Sequence, residues 1–589
     1  MAELDSQPKS IQSIYAWYSE DKIWVNRRYQ RKLVWTLEEK QRLIESVLKR
    51  YPIPAILLAE REGGEYEVID GLQRLHTIVS FIETGFSTID DRYFDVAQFV
   101  TAKTRASEEK AFSVTNGTTL SAREVGTLLD YSLAISVMRG ATDDEIDDVF
   151  ARINTYGHQL SDQERRQSGV RDEFSALVRE LSCDIRGDAS SDILSLDKMP
   201  SISIDLPKTK HGYEVAAEDV FWVEQGILRS TDLRDSMDEQ CVADIAASII
   251  GGSLVERSKV ALDEIYQTGS EDNQRIIRAL DSYGADRYAA EFKLCIDEID
   301  AVCTEGSDQK LRGIIFSKKN TNPFPAVFAV LFVAFHELLI GENKKIASYK
   351  GVKSAITDLD KRIETSRAST SPDERRRNVD TIKGLIRPHF IDSEPRDIYG
   401  DHTTTDIDAA IRRSEIEAPH YELKQGMLRL YGDREIDQTV FDKVIRTICA
   451  IANNGKDRAG TILIGVADKE ADARRVHSLD GVEGRKVGHR IVVGVHREAK
   501  VLGETPERYF GRWKDAIRSS GLSQGLKDSV LASLSHSDYY GLGVIVIRIP
   551  DQQEVSLLDG KMFIREGDDT VEVTEVSRML EIGKRFTAG

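Results

Sequence analysis

Residues 65–85 read EYEVIDGLQRLHTIVSFIETG, and Tyr66 and Val68 alternate with charged positions before Ile69, the period of a short strand. Leu72, Leu75, Ile78, Val79 and Ile82 then recur at helical spacing, and Gly85 stands where a helix C-terminus ends. Between the two periods Asp70-Gly71 is a turn pair, and glycine lets the backbone pass close to another group. The pattern predicts a strand, a tight acidic-glycine turn and a helix, and the rest of the chain reads outward from it. Upstream it predicts a helix over 10–20 and an amphipathic helix on Leu37, Ile44, Val47, Leu48 and Tyr51. Pro52-Ile53-Pro54 stops that helix, and a strand over 55–59 follows that can pair with the strand before Asp70. Downstream, Tyr131, Leu133, Ile135 and Val137 alternate like a strand. The capping boxes Thr142/Glu145 and Ser161/Glu164 start helices near 143–153 and 162–169, around a loop over 152–157.

From 171 to 390 the pattern is mainly helical, with helices over 242–250, 258–267, 275–281, 289–302 and 325–340. Residues 194–212 have extended or loop character, which suits a mobile segment. Residues 364–405, rich in Ser, Thr, Asp, Arg and Pro and carrying the run Asp373-Glu374-Arg375-Arg376-Arg377, supply an interdomain linker, placed at 391–405. From 406 the pattern turns to mixed α/β. Tyr421 and Leu423 face one way, Glu422 and Lys424 the other, then come a helix over 439–453 and a strand over 461–467 ending at Asp468. The fold class expected is α+β multidomain, with an α/β domain at 1–170, a helical domain at 171–390, the linker, and an α/β domain at 406–589.

Length agrees: 589 residues suit roughly three domains, each with its own core. The net charge of −19 excludes non-specific coating of nucleic acid but leaves room for local basic clefts. Cysteines 183, 241, 295, 303 and 449 form no CxxC pair, which suits a reducing cytoplasm and excludes a zinc ribbon or disulfide frame. The opening MAELDSQPKS lacks a secretion-signal pattern. The most apolar run, 324–340, contains His336 and Glu337 and reads as a core helix rather than a membrane span. A cytoplasmic protein without a membrane partner is expected.

Three stretches carry candidate chemistry. The first N–H groups of the helix after Gly71 attract phosphate, and Arg74 adds a cationic fork beside them; a plain strand-to-helix junction is the alternative. Residues 27–35 interleave Arg27, Arg28, Tyr29, Gln30 and Arg31 with Trp35, and Asn154 can cap, turn or bind a ligand. In the third, the element order can bring Glu417, Glu422 and Asp468 together with Lys424, an acidic cluster suited to Mg²⁺ or Mn²⁺; a solvated strand face is its alternative. Arg429, Lys443, Arg446, Lys456, Arg458, Arg485, Lys486, Arg490, Arg512, Lys514 and Arg518, with Tyr509 and Trp513, can supply phosphate contacts and stacking around it; a scattered solvated surface is the alternative. The eleven histidines form no HxxxH, HEXXH or HNH-like cluster, which speaks against a zinc hydrolase.

YQRKLVW, the PIP stop, VIDGLQR and FARINTYGHQLSDQE, in that order, resemble the N-terminal domain of the GmrSD-type restriction family, which is similar in fold to ParB and sulfiredoxin nucleotide-binding domains. The likeness covers about 10 to 170; Leu72 stands where the family's DGQQR turn has its first Gln. It implies binding, and commonly hydrolysis, of a nucleoside triphosphate (GTP, CTP or ATP) in defence against phage DNA, at Arg31, Asp70, Gly71, Gln73, Arg74 and Asn154. The segment 406–580 resembles the Schlafen AlbA-like domain through Glu417, Glu422 and Lys424 at E-x4-E-x-K spacing, ICAIANN, GTILIGVAD, GVIVIRIP and Lys561–Arg565 before Glu566-Gly567. It departs in Leu423, where Phe is usual, and in the longer, more basic loop over 453–460. Some members of that family cut RNA or DNA and others only bind it. The resemblances together imply a nucleotide-binding domain controlling a metal-dependent nuclease with catalytic Glu417, Glu422, Lys424 and Asp468. The alternatives are a nucleotide-gated nucleic-acid-binding regulator and an NTPase that depletes nucleotide. Nucleic acid, DNA ahead of RNA, is the expected partner, and a homo-oligomer is left open.

Overall fold

The computed structural model describes residues 3–27, 32–61, 64–107, 111–156, 161–167, 170, 172–188, 193–205, 213, 215–307, 309–318, 321–364, 370–393, 404–414, 418–431, 434–456, 458–567 and 569–586, without the side chains of 151, 154–156, 201, 202, 405 and 418.

Six strands form the first sheet: β1 (Glu3–Ser10), β2 (Ile23–Asn26), β3 (Ile56–Glu60), β4 (Tyr66–Asp70), β5 (Ser132–Arg139) and β6 (Ile193–Ser195), in spatial order β1-β5-β3-β4-β2-β6. β3 pairs antiparallel with β4, as the periods upstream and downstream of Glu65 predict, and parallel with β5. β2 lies parallel to β4 and antiparallel to β6. Helices Ile11–Ser19, Leu37–Leu48 and Leu72–Ile82 pack on this sheet through Ile14, Ile44, Val47, Leu75, Ile78 and Phe81, all buried. A capping box of Thr36 and Glu39 starts the second of these helices.

The boundary expected at 170 is not where this sheet ends. After helix Glu173–Arg186, whose Phe174, Leu177 and Leu181 belong to the helical core, the chain returns as β6 on the sheet edge. Leu194, Leu196 and Met199 then join the N-terminal core. The extended reading of 194–212 holds at strand β6 and at Ile204–Asp205, while a 3-10 helix over Leu196–Ile202 stands between them. Three residues are too few to show a strand period, so the return is hidden in sequence.

The helical core runs from Phe174 to Phe390 around helix Pro325–His336, which is buried on every side from Val327 onward and continues into a π-helical turn, Glu337–Gly341. Within the polar stretch 364–405, residues Pro372–Ile386 form a helix on this core. Within its charged run, Arg375 is buried against Asp244, with hydrogen bonds of 2.7 and 3.0 Å.

In the C-terminal part, strands Tyr421–Lys424, Gly460–Ile464, Val544–Ile549 and Leu534–Ser537 form a sheet in that order, the first pair parallel and the others antiparallel. Helix Gln438–Ala452 covers one face through Val444, Ile448 and Ile451. Helix Thr404–Arg413 puts Ile407 and Ile411 with Leu423, Leu463 and Val546 on the other. The single strand expected over 461–467 is broken at Gly465, whose φ is +112° and where a Cβ would meet the Gly543 carbonyl at 3.1 Å. The chain swings there into a second sheet, Val466–Ala467 with Arg490–Val492 and Arg485–Val487, and delivers Asp468 to its edge. Among the described residues no helix is long and apolar enough to cross a membrane.

Candidate functional site: an N-terminal turn and a C-terminal cleft

β4 ends at Asp70, and Gly71, at φ +98°, is the N-cap of helix Leu72–Ile82. A Cβ at 71 would meet the Ile56 side chain at 2.9 Å, so the turn requires glycine for both conformation and space. Asp70 accepts a hydrogen bond of 2.7 Å from Arg74 one turn on. Arg74 Nη1 is buried with no partner among the described residues. Leu72, the departure from DGQQR, is buried in the core.

Gln73 is otherwise employed than expected. Its Oε1 accepts the backbone N–H of Val34 (3.1 Å) and Trp35 (3.3 Å), and its Nε2 donates to the Lys32 carbonyl (3.0 Å). It is a clamp that holds the segment after the basic-aromatic run against the turn, and three of the four bonds its amide can make are spent there. Arg31 lies outside the described residues. Asn154 falls in helix Asp143–Tyr156, which takes up residues 152–156 of the loop expected over 152–157, and its side chain is outside the description.

Three basic side chains absent from the sequence reading gather near this clamp. Arg234, from the helical core, donates to the Val34 carbonyl. Lys40 is buried and donates to the Tyr213 hydroxyl at 2.8 Å. Burial, and then the Arg234 charge, push Lys40 down to about 8. Burial and the charge of Lys40 push His76 down to about 3. The sequence signal for Lys40 was its place on the apolar stripe of its own helix, three and four residues before Leu43 and Ile44, which are also buried.

At the other end, Glu422, Lys424 and Asp468 line one open cleft of about 900 Å³ together with Lys443, Lys469, Asp472, Arg490 and Arg565. Glu422 bonds Lys424 through one oxygen and Arg565 Nη1 (2.9 Å) through the other. Arg565, 2% exposed, comes from the hairpin strand Met562–Glu566 and also donates to Thr570 and the Tyr421 carbonyl. Asp468, half-exposed, pairs with Arg490, which also donates to the Asp468 carbonyl at 2.7 Å. Glu417 lies outside the described residues.

Five cationic side chains therefore face three carboxylates on the described wall, a balance that attracts phosphodiester despite the acidic total. Two oxygen donors of the expected metal set share the cleft, the right chemistry for a hard divalent cation. Glu422 is held by Lys424 and Arg565 and Asp468 by Arg490, so an ion competes with these cations. Among the described residues no group of three His, Cys, Asp or Glu stands ready to hold a metal.

Of the wider basic set, Lys443 and Arg490 line the cleft. Arg512 is paired with Glu504, Arg518 with Asp515, and Arg485 stacks on Tyr540, 3.8 Å from its ring centre. Tyr509 and Trp513 are not stacking platforms. With Ile517 they form the i, i+4, i+8 stripe of helix Pro506–Ser519 and are fully buried. The Tyr509 hydroxyl donates 2.6 Å to buried Glu498, which also accepts from the Met427 and Leu428 amides next to the cleft.

No curated protein and no solved structure matches this chain. Residues 14–170 match the family model described as "GmrSD restriction endonuclease, N-terminal domain". The match bears out, for that segment, the resemblance carried by YQRKLVW, VIDGLQR and FARINTYGHQLSDQE, and it stops short of the C-terminal cleft.

Proposed function

We propose that the chain is a restriction-type defence protein in which a nucleoside triphosphate held at the Asp70–Arg74 turn controls a C-terminal cleft that binds nucleic acid and cuts it. The likeness of residues 14–170 to the N-terminal domain of a restriction endonuclease supports the first half and makes DNA the first substrate to test. The observation that carries the second half is the cleft itself, where Glu422, Lys424 and Asp468 share one wall with four further cations. Lys443, Lys469, Arg490 and Arg565 neutralise the backbone and set its position. Glu422, Asp468 and Glu417 are the groups that would hold Mg²⁺ or Mn²⁺, which stabilises charge at the phosphoryl centre and activates water when bound. Lys424, released from Glu422, balances the charge that develops on the attacked phosphate.

Binding without cutting is the second reading, and the ion pairs of Glu422 with Arg565 and of Asp468 with Arg490 favour it. Incubation of the full chain with labelled DNA and RNA, with and without Mg²⁺ or Mn²⁺ and each NTP, separates the two. Metal-dependent cleavage selects the nuclease, and retardation alone selects the regulator. Consumption of NTP with neither outcome overturns both.

A further inference from the structure

His496 opens helix His496–Val501, and His536 lies on Leu534–Ser537, the edge strand of the C-terminal sheet. Their Nε2 atoms stand 3.2 Å apart. The Gly541 carbonyl can only accept, so the 2.8 Å bond to it places the proton of neutral His496 on Nδ1 and leaves the Nε2 lone pair facing His536. Two ring nitrogens each 2.0–2.1 Å from a tetrahedral ion are separated by about 3.3 Å. A backbone carbonyl behind the other ring nitrogen is the partner that fixes a metal-binding imidazole in tautomer and plane. Both rings are half-buried. Phe510 packs near His536, with ring centres 6.1 Å apart, and the charges of Glu507 and Asp538 fall on the pair.

We propose that His496 and His536 form a two-nitrogen site for a divalent transition ion of the zinc class, separate from the carboxylate cleft. With no third His, Cys, Asp or Glu in coordinating position among the described residues, its remaining positions go to water. The choice of ion follows from the donors: imidazole suits Zn²⁺, Cu²⁺ or Ni²⁺, whereas Mg²⁺ takes oxygen. The ion ties helix His496–Val501 to the edge strand beside the turn that carries Tyr540. That residue stacks on Arg485 and reaches Asp300 of the helical core at 3.5 Å, so the site braces the contact between the C-terminal sheets and the rest of the molecule.

The test is Zn²⁺ titration of the chelator-treated full chain by calorimetry in excess Mg²⁺, which occupies carboxylate sites. One Zn²⁺ per chain is expected, with His496→Ala and His536→Ala each weakening it tenfold or more. Glu422→Gln should leave Zn²⁺ affinity unchanged, so failure here is distinct from failure of the nuclease reading. A measurement on the unaltered protein guards against misfolded variants: bound Zn²⁺ should protect both histidines from diethyl pyrocarbonate, read by mass spectrometry. Equal Zn²⁺ affinity in the original chain and both variants, or equal modification with and without Zn²⁺, reduces the pair to a histidine–histidine hydrogen bond and overturns the proposal.

Discussion

Arg27 and Asp188 meet through two parallel hydrogen bonds of 3.0 Å, Nη1 to Oδ1 and Nη2 to Oδ2, with both side chains withdrawn from solvent. Arg27 directly follows β2, and Asp188 lies just beyond helix Glu173–Arg186 of the helical core. Arg186 also donates to Asp188 (3.0 Å) and reaches Asp238 (2.5 Å) and Glu239 (3.2 Å). One turn earlier, Asp184 receives Lys293 at 2.7 Å and Arg413 of the helix that covers the C-terminal sheet. The C-terminal end of a single helix is thereby fastened to the N-terminal sheet and to helix Thr404–Arg413.

Asp188→Ala leaves Arg27 buried without its ion-pair partner and should destabilise the chain by about 3–5 kcal/mol, read as a lower midpoint of denaturant unfolding. Arg27→Ala should cost less, because Asp188 keeps Arg186. Burial alone opposes ionisation of Asp188, but Arg27 and Arg186 outweigh it and hold the carboxyl down to about 2. An equal midpoint in Asp188→Ala and the original protein would remove the fastening role.

The milder variant Arg413→Ala removes the outer link to Asp184 and tests transmission. If NTP occupancy is felt at the cleft through this helix, the factor by which NTP changes nucleic-acid affinity should shrink toward one, with each ligand still binding alone. Linkage requires nucleic acid to change NTP affinity by the same factor. An undiminished factor in well-folded Arg413→Ala protein rules out this route. Contact alone does not establish coupling, and the measured factor decides.

Gln73 and Arg74 are neighbours with different duties, so their variants should separate. Arg74→Ala loses a charge-assisted contact of about 1.5–3 kcal/mol and should weaken NTP binding tenfold or more in a folded protein. Gln73→Ala releases three backbone bonds to Lys32, Val34 and Trp35. Its first effect should be faster amide exchange at Val34 and Trp35, visible without any nucleotide. Unchanged NTP affinity in Arg74→Ala would end the assignment of the turn.

Lys40 gives a pH signature. Its folded pKa, near 8, lies below the unfolded value of 10.5, so between these limits the unfolded chain binds more protons and stability rises with pH. Below about pH 8 the protein carries the full penalty of a buried charge, on the order of 3 kcal/mol. Lys40→Met should flatten that rise in denaturant midpoints taken between pH 8 and 10. Parallel profiles for variant and original would show that Lys40 is solvated.

The strand–turn–helix at Asp70 and the helices at 11–19 and 37–48 were legible because each shows its period over several residues. What escaped was set by partners far along the chain. Arg375 sits in a run of charges that reads as solvated, yet Asp244 buries it. Tyr509 and Trp513 are aromatic among basic residues and read as a stacking surface, while their i, i+4 spacing with Ile517 marked a core stripe. Glu422 and Asp468 line one cleft, but Arg565, which fills the second oxygen of Glu422, comes from a hairpin 143 residues away. Local spacing carries no record of such a pair.

Glu422 stands between two cations that it neutralises. Replacing it by Gln keeps the shape, removes a ligand charge and leaves Arg565 and Lys424 uncompensated. Cleavage should disappear while nucleic-acid affinity holds or rises, since the wall loses one of its three described carboxylates. Lys424→Ala should slow cleavage with a smaller effect on metal affinity, because its proposed role is at the phosphate. Lys443→Ala and Lys469→Ala leave the carboxylates intact, and each should lower the slope of log affinity against log salt by about 0.7–0.9, one released counterion per lost phosphate contact. These slopes come from retardation assays at several salt concentrations and apply with or without cutting. Salt-independent binding, or the same slope in both lysine variants as in the original chain, would place nucleic acid elsewhere on the molecule and take the cleft out of its function.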